Sequence, residues 1–167
     1  TKGGAKVCIE VTGLGAGLIL DGKLYSGTND NAGELGHIRL ERSGPVGYGK
    51  EGSFEGFCSG GGIAQLAKSY VTEEIQMGKA PSICPTMEEL NTLTAEKVCV
   101  AAREGDVLAK KIISKCGQML GVGLSMVMDM LNPEKIVIGS VFTRARDLLW
   151  PEAEAVILEE ALEYTRE

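Results

Sequence analysis

Apolar and polar side chains alternate with a period near two from Ala5 to Val11, and Val7, Ile9 and Val11 are β-branched, so this segment predicts a strand. A second apolar run, Leu18-Ile19-Leu20, leads into Asp21-Gly22, a two-residue turn signal of the type I′ kind, after which Lys23-Leu24-Tyr25 returns as the other arm of a β-hairpin. Ile38-Arg39-Leu40 resumes strand-like alternation. Beyond Gly60-Gly61-Gly62 the period changes. Ile63, Leu66, Ala67, Tyr70, Val71 and Ile75 recur at helical spacing and predict a helix to about Met77, ended by the loop from Gly78 to Glu88 with Pro81 and Pro85. Thr94 is the N-cap of a short helix through Arg103, and Gly105-Asp106 breaks and recaps the chain.

From Val107 an apolar stripe through Ile112, Cys116, Leu120, Leu124, Val127 and Leu131 predicts one long helix. Gly117, Gly121 and Gly123 each cost about 1 kcal/mol against Ala within it, a penalty that marks close backbone packing. The methionines of Met126-Val127-Met128-Asp129-Met130 read as core or subunit interface rather than a cofactor box. Lys135-Ile136-Val137-Ile138-Gly139 reads as a short buried strand. Pro151 reads as the start of a terminal helix with Ala153, Val156, Ile157 and Leu162 on one face. Strands come first and helices after, with one late strand, which defines a mixed α/β class.

Composition narrows the function classes. The 167 residues fit one domain, 1–167, with a sizeable core. A formal net charge of -6 opposes nucleic-acid binding through this surface, which needs clustered Lys and Arg. No apolar run reaches the roughly 18 residues of a membrane helix, and the N-terminus carries no signal-peptide pattern. The five cysteines lie singly, without C-x-x-C spacing, which with the missing secretory pattern suits a reducing cytoplasm.

The candidate chemistry lies between residues 12 and 55. Thr12-Gly13-Leu14-Gly15-Ala16-Gly17 follows the first strand, but a hairpin rather than a helix comes next, and no Walker lysine follows. Both the dinucleotide fingerprint and the P-loop are therefore excluded. A glycine-lined turn between strands remains, either an anion nest of free N–H groups or a tight hairpin that needs glycine for positive φ. Downstream, Asn29-Asp30-Asn31-Ala32-Gly33-Glu34-Leu35-Gly36-His37 crowds polar groups between glycines. Asp30 reads as a loop acid. A carboxylate and an imidazole three residues apart can bind adjacent hydroxyls of a pyranose; the alternative is a solvated Glu34 and a satisfied strand histidine at His37.

These blocks resemble, in order and spacing, the ROK family of bacterial sugar kinases and sugar-responsive repressors. The likeness rests on Thr12 to Gly17, Asp21-Gly22-Lys23-Leu24, Ala32-Gly33-Glu34-Leu35-Gly36-His37, Gly52-Ser53-Phe54-Glu55 and Ser59-Gly60. Farther on it takes in Thr94 to Val98, Ala101 to Asp106, Leu120 to Leu124 and Asn132 to Gly139, so it covers nearly the whole chain. It implies the C-terminal lobe of an actin/hexokinase-like (ribonuclease H-like) ATPase fold, and a homodimer. It also implies that Glu34, His37 and Glu55 bind sugar hydroxyls, and that Thr12, Gly13, Gly15, Gly17, Gly139 and Ser140 approach ATP carried with Mg. The general base and first phosphate loop of the family lie before the region this chain covers, so none of these residues is expected to be catalytic. The family's final glycine-alanine helix would follow Glu167.

Two departures from the family pattern stand out. Ser140 and Val141 occupy positions where glycines are more usual. The zinc motif C-x-C-G-x-x-G-C, registered on Gly49 and Gly52, places Val46, Tyr48 and Ser53 at its cysteines, so only His37 remains and no structural zinc is expected. The run from Gly44 to Gly56 then has to be held by packing or by ligand. The expectation is a lobe of an ATP-dependent kinase for a hexose or N-acetylhexosamine, inactive alone. A sugar-sensing regulator of the same family and a degenerate non-catalytic module are the alternatives.

Overall fold

Strand β1 (Lys6–Val11) runs antiparallel to β2 (Leu14–Leu20), with Glu10 opposite Gly15 and Cys8 opposite Gly17. The computed structural model describes residues 6–11, as backbone, and 14–166; Thr12 and Gly13 lie outside the described residues. Gly15 and Gly17 are thus strand residues, whereas the sequence reading put them in the turn. The ladder extends to Val11 and Leu14, so both glycines fall within its paired length. Asp21 (φ 50°) and Gly22 (φ 76°) both take the left-handed conformation that a type I′ turn requires, and β3 (Lys23–Tyr25) pairs back onto β2.

After a loop and a 3-10 turn over Leu35–His37, the chain forms a two-stranded ribbon of β4 (Val46–Gly47) and β5 (Lys50–Glu51). Ile38-Arg39-Leu40 is not a strand: its only ladder contact among the described residues is a bridge from Arg39 to Ser53. A five-residue helix that no periodicity in the sequence announces, α1 (Phe54–Cys58), follows, capped by the buried Ser53 hydroxyl accepting from Gly56 N–H at 3.1 Å. Helix α2 (Gly60–Gln76) is capped in the same way by Ser59.

The caps read from sequence hold at the next two helices. Thr94 caps α3 (Ala95–Glu104), Gly105 closes it in the left-handed conformation, and Asp106 caps α4 (Val107–Leu131). The α4 glycines are points of close approach: a Cβ at Gly121 would lie 2.6 Å from the Ala153 carbonyl, and one at Gly123 would lie 2.4 Å from the Phe54 ring. Val127 is buried, while Met130 is exposed.

Strand β6 (Lys135–Ile138) joins the sheet parallel to β1, giving the order β3-β2-β1-β6. It is half-exposed rather than buried, because it forms the edge of the sheet, with no strand beyond it among the described residues. Helix α5 spans Val141–Glu160 and packs along α4, with its departure from helical geometry at Ala145. Pro151 therefore lies inside α5 instead of opening it; the helix starts ten residues earlier, and Leu162 falls beyond its end. Phe54, Phe57, Ile63, Ile112, Leu124 and Val98 fill the core between the helices and the sheet, with Leu14 and Leu18 of β2 beneath. No helix among the described residues is long and apolar enough to cross a membrane.

Candidate functional site

Glu34, His37 and Glu55 line one cavity of about 980 Å³, together with Gly15 and Gly17 of β2. Three local arrangements bring them there. The loop before the 3-10 turn is pinned to β2 by the Ala16 N–H donating to the Gly33 carbonyl at 2.8 Å. Gly33, at φ 92°, and Gly36 lie so close to β2 that a Cβ on either would fall 1.8 and 2.0 Å from the carbonyls of Ala16 and Leu14. The glycines flanking Glu34 and His37 thus set the depth at which that loop sits.

Glu55 reaches the same cavity from α1. The Phe54 N–H donates to the Ile38 carbonyl at 2.8 Å, so the first residue of α1 is bonded to the residue after His37. Phe54 and Phe57 are buried, and the Phe54 ring lies against α4 at Gly123. Glu55 is half-buried, and Glu34 and His37 are exposed, so all three can reach a ligand without leaving a covered charge unpaired. The reading of His37 as a strand histidine is set aside, since it closes a 3-10 turn.

The cavity also takes side chains that sequence reasoning did not single out. Asn31 lines it, and its amide donates to the Asn29 carbonyl at 3.0 Å. Tyr48 lines it too, 89% exposed, with its ring 6.1 Å from that of His37 and near-perpendicular at 79°. An exposed tyrosine between Gly47 and Gly49 was the available signal. Asp30 sits at φ 62°, as a turn acid would.

Gly15 differs from Gly33 and Gly36, because a Cβ there meets nothing within 4 Å and its φ is not positive. Neither conformation nor packing calls for glycine, so a side chain would only take up space in the cavity. Gly139 and Ser140 lie apart from this cavity, where β6 passes into α5; Ser140 adopts φ 55° and ψ -123°, a conformation that favours glycine. Val46, Tyr48 and Ser53 offer a methyl-bearing chain, a phenol and a buried hydroxyl already engaged as a helix cap, so they do not make a zinc site with His37. Among the described residues no three His, Cys, Asp or Glu side chains are grouped to hold a metal ion.

A mixed α/β domain with two carboxylates, an imidazole and glycine backbone around one open cavity is the class of protein defined by this geometry. The ROK family model matches residues 5–167, and the chain belongs to that family. It is 36% identical over 140 residues to a glucokinase of Halalkalibacterium halodurans, covering 83% of this chain and 41% of that protein. It is 33% identical over 155 residues to the DNA-binding transcriptional dual regulator NagC of Escherichia coli, covering 92% and 36%. The chain therefore spans about two-fifths of the length of these relatives. A ROK family glucokinase from Streptomyces griseus, solved in complex with glucose and AMPPNP, superimposes with a TM-score of 0.76 over 98% of this chain and 54% of that one, at 22% identity. The fold is thus that of part of the actin-like ATPase domains of ROK kinases and regulators.

Proposed function

We propose that residues 1–167 form one domain, the C-terminal, sugar-binding lobe of a ROK sugar kinase acting on a hexose or N-acetylhexosamine. The observation that carries this reading is the meeting of Glu34, His37 and Glu55 at one cavity. Each carboxylate accepts hydrogen bonds from adjacent sugar hydroxyls, and the imidazole donates or accepts according to its tautomer. A hydrogen bond to a charged group contributes about 1.5–3 kcal/mol, so removing one carboxylate should weaken binding at least tenfold. The Tyr48 ring beside His37 gives the sugar an apolar face to lie against.

ATP with Mg would supply the phosphoryl group, held by Thr12, Gly13, Gly15 and Gly17 on one side and by Gly139 and Ser140 on the other. The room left by Gly15 supports its share of that assignment. Within this chain the acidic and imidazole groups bind and orient the hydroxyls, and no residue here is assigned to remove the acceptor proton. The glucose and AMPPNP of the Streptomyces griseus structure agree with this pair of ligands.

A sugar-responsive regulator is the second reading, favoured by the 33% identity to NagC and by Ser140 at a turn suited to glycine. Calorimetry of the chain with glucose, N-acetylglucosamine and N-acetylmannosamine tests the shared part. One sugar should bind, and Glu55→Ala should weaken it tenfold or more; no binding of any of the three by wild type would end both readings. A coupled assay for ATP-dependent sugar phosphorylation by the complete protein then separates kinase from regulator.

A further inference from the structure

We infer that the β4–β5 ribbon is a metal-free clasp, in which Gln65 and Lys50 are positioning residues that hold His37 where a bound zinc would otherwise fix the loop. Each of the three positions registered on the zinc motif carries a tie of another kind. At Val46 the backbone is gripped at both ends by the Gln65 side chain of α2: the Val46 N–H donates to Gln65 Oε1 at 3.1 Å, and Gln65 Nε2 donates to the Val46 carbonyl at 2.9 Å. At Tyr48 the ring stands edge-on to the imidazole of His37. At Ser53 the buried hydroxyl donates to the Gly47 carbonyl at 3.4 Å while capping α1.

Further bonds close the clasp on the His37 turn itself. Lys50 Nζ, on β5, donates to the His37 carbonyl at 2.7 Å. Arg39 Nη1 donates to the Glu51 carbonyl at 2.7 Å, and the N–H groups of Leu40 and Glu41 both donate to the Gly52 carbonyl. The histidine turn and the residues after it are therefore joined by polar contacts to β5 and Gly52, while β4 is tied to α2 through Gln65 and to Ser53. A metal contributes to such a loop by replacing chain entropy with a few fixed bonds, and hydrogen bonds to backbone from α2 and from β5 do the same here. Gln65 is exposed, so its two bonds are not required for core packing, and its role is to tie the ribbon to α2.

The consequence for ligand binding rests on the reading of the cavity as a sugar site; the clasp itself does not. His37 is the only histidine, so its imidazole Hε1 signal in a proton NMR spectrum is unambiguous. The chain as purified should contain substoichiometric zinc, and EDTA should leave its Tm unchanged. Gln65→Met should speed amide exchange across residues 44–52 by about tenfold, the size expected of two solvent-exposed hydrogen bonds, and should move the His37 signal. Lys50→Met should move that signal as well, with Lys50→Arg restoring it. Tyr48→Ala, but not Tyr48→Phe, should remove the ring-current shift on it.

Stoichiometric zinc, a Tm lowered by EDTA, or a His37 signal and exchange pattern indifferent to both Gln65→Met and Lys50→Met would overturn the clasp. A protected, metal-free ribbon in a chain that binds no sugar would leave the clasp standing and remove the sugar reading instead. Where sugar does bind, Gln65→Met should weaken it severalfold through His37.

Discussion

Replacing Gly36 by alanine adds one methyl group where the His37 turn meets the sheet backbone. The new Cβ would lie 2.0 Å from the Leu14 carbonyl oxygen, 2.9 Å from its carbon and 3.2 Å from Cβ of Glu55. Ordinary contact begins near 3.4 Å, so the turn and strand β2 have to separate by about 1.4 Å, and the obstacle is backbone rather than a side chain that could rotate away. Overpacking of this kind costs about 1–3 kcal/mol, and an obstacle of backbone argues for the upper half of that range. For a domain of this size that loss lowers Tm by roughly 4–12 °C. The turn carries His37 and adjoins Glu55, and a displacement of about 1 Å in a positioned group can cost up to a hundredfold, so sugar affinity should fall by more than stability alone explains. Thermal denaturation followed by circular dichroism, with calorimetry below the new Tm, reads both effects. Gly61→Ala is the control, since a Cβ there meets nothing within 4 Å and the residue lies in a helix, so Tm should hold or rise. A Gly36→Ala protein with wild-type Tm and wild-type affinity would refute the account of how glycine sets the depth of the turn.

Gly15→Ala should leave Tm within about 2 °C of wild type, since its Cβ meets no atom of the described residues within 4 Å, while weakening whatever ligand approaches β2; a large loss of Tm would contradict the open space seen there. Burial pushes the Cys116 thiol up to about 12 and raises Cys58 well above its ordinary value, with the Cys116 charge adding to the latter. Peptide mass spectrometry after iodoacetamide treatment at pH 8 should find both unmodified in the native protein and modified on unfolding. Because the folded chain holds these protons more tightly, stability should decline as pH rises above the unfolded thiol value of 9.0. On the acid side the hydrogen bonds from Arg103, at 2.7 and 2.8 Å, pull the Asp147 carboxyl below its ordinary value. Its contribution to joining α3 and α5 is present above the unfolded value and lost as pH falls through the folded one. An Asp147→Asn protein should therefore show a shallower acid limb in Tm against pH.

Sequence was sufficient where the signal is local. The Asp21-Gly22 turn, the Thr94 and Asp106 caps and the Gly105 stop each depend on a residue whose backbone preference or side-chain oxygen acts within a few positions, and each appears in the fold. It fell short where tertiary contacts decide. The α1 helix is hidden in a glycine-rich stretch because Phe54 and Phe57, buried against α4, stabilise five residues that would not be helical alone. Pro151 resembles a helix start, yet the turn before it is already helical and packed on α4. The meeting of Glu34, His37 and Glu55 was legible through the order of the motifs. Tyr48 and Asn31 were not, because a cavity collects residues from separate loops and no spacing rule joins residues 31 and 48.

The notch at Gly123 makes α4 a common datum for distant parts of the molecule. Phe54 beds into that notch beside Glu55, while Gly121 takes the backbone of α5 at Ala153. One helix of 25 residues therefore gauges both the carboxylate at the cavity and the middle of α5. A methyl group at Gly123 would press on Phe54 and through it on the neighbouring Glu55, whereas one at Gly121 would press on α5, so two glycines one residue apart gauge different parts of the same body.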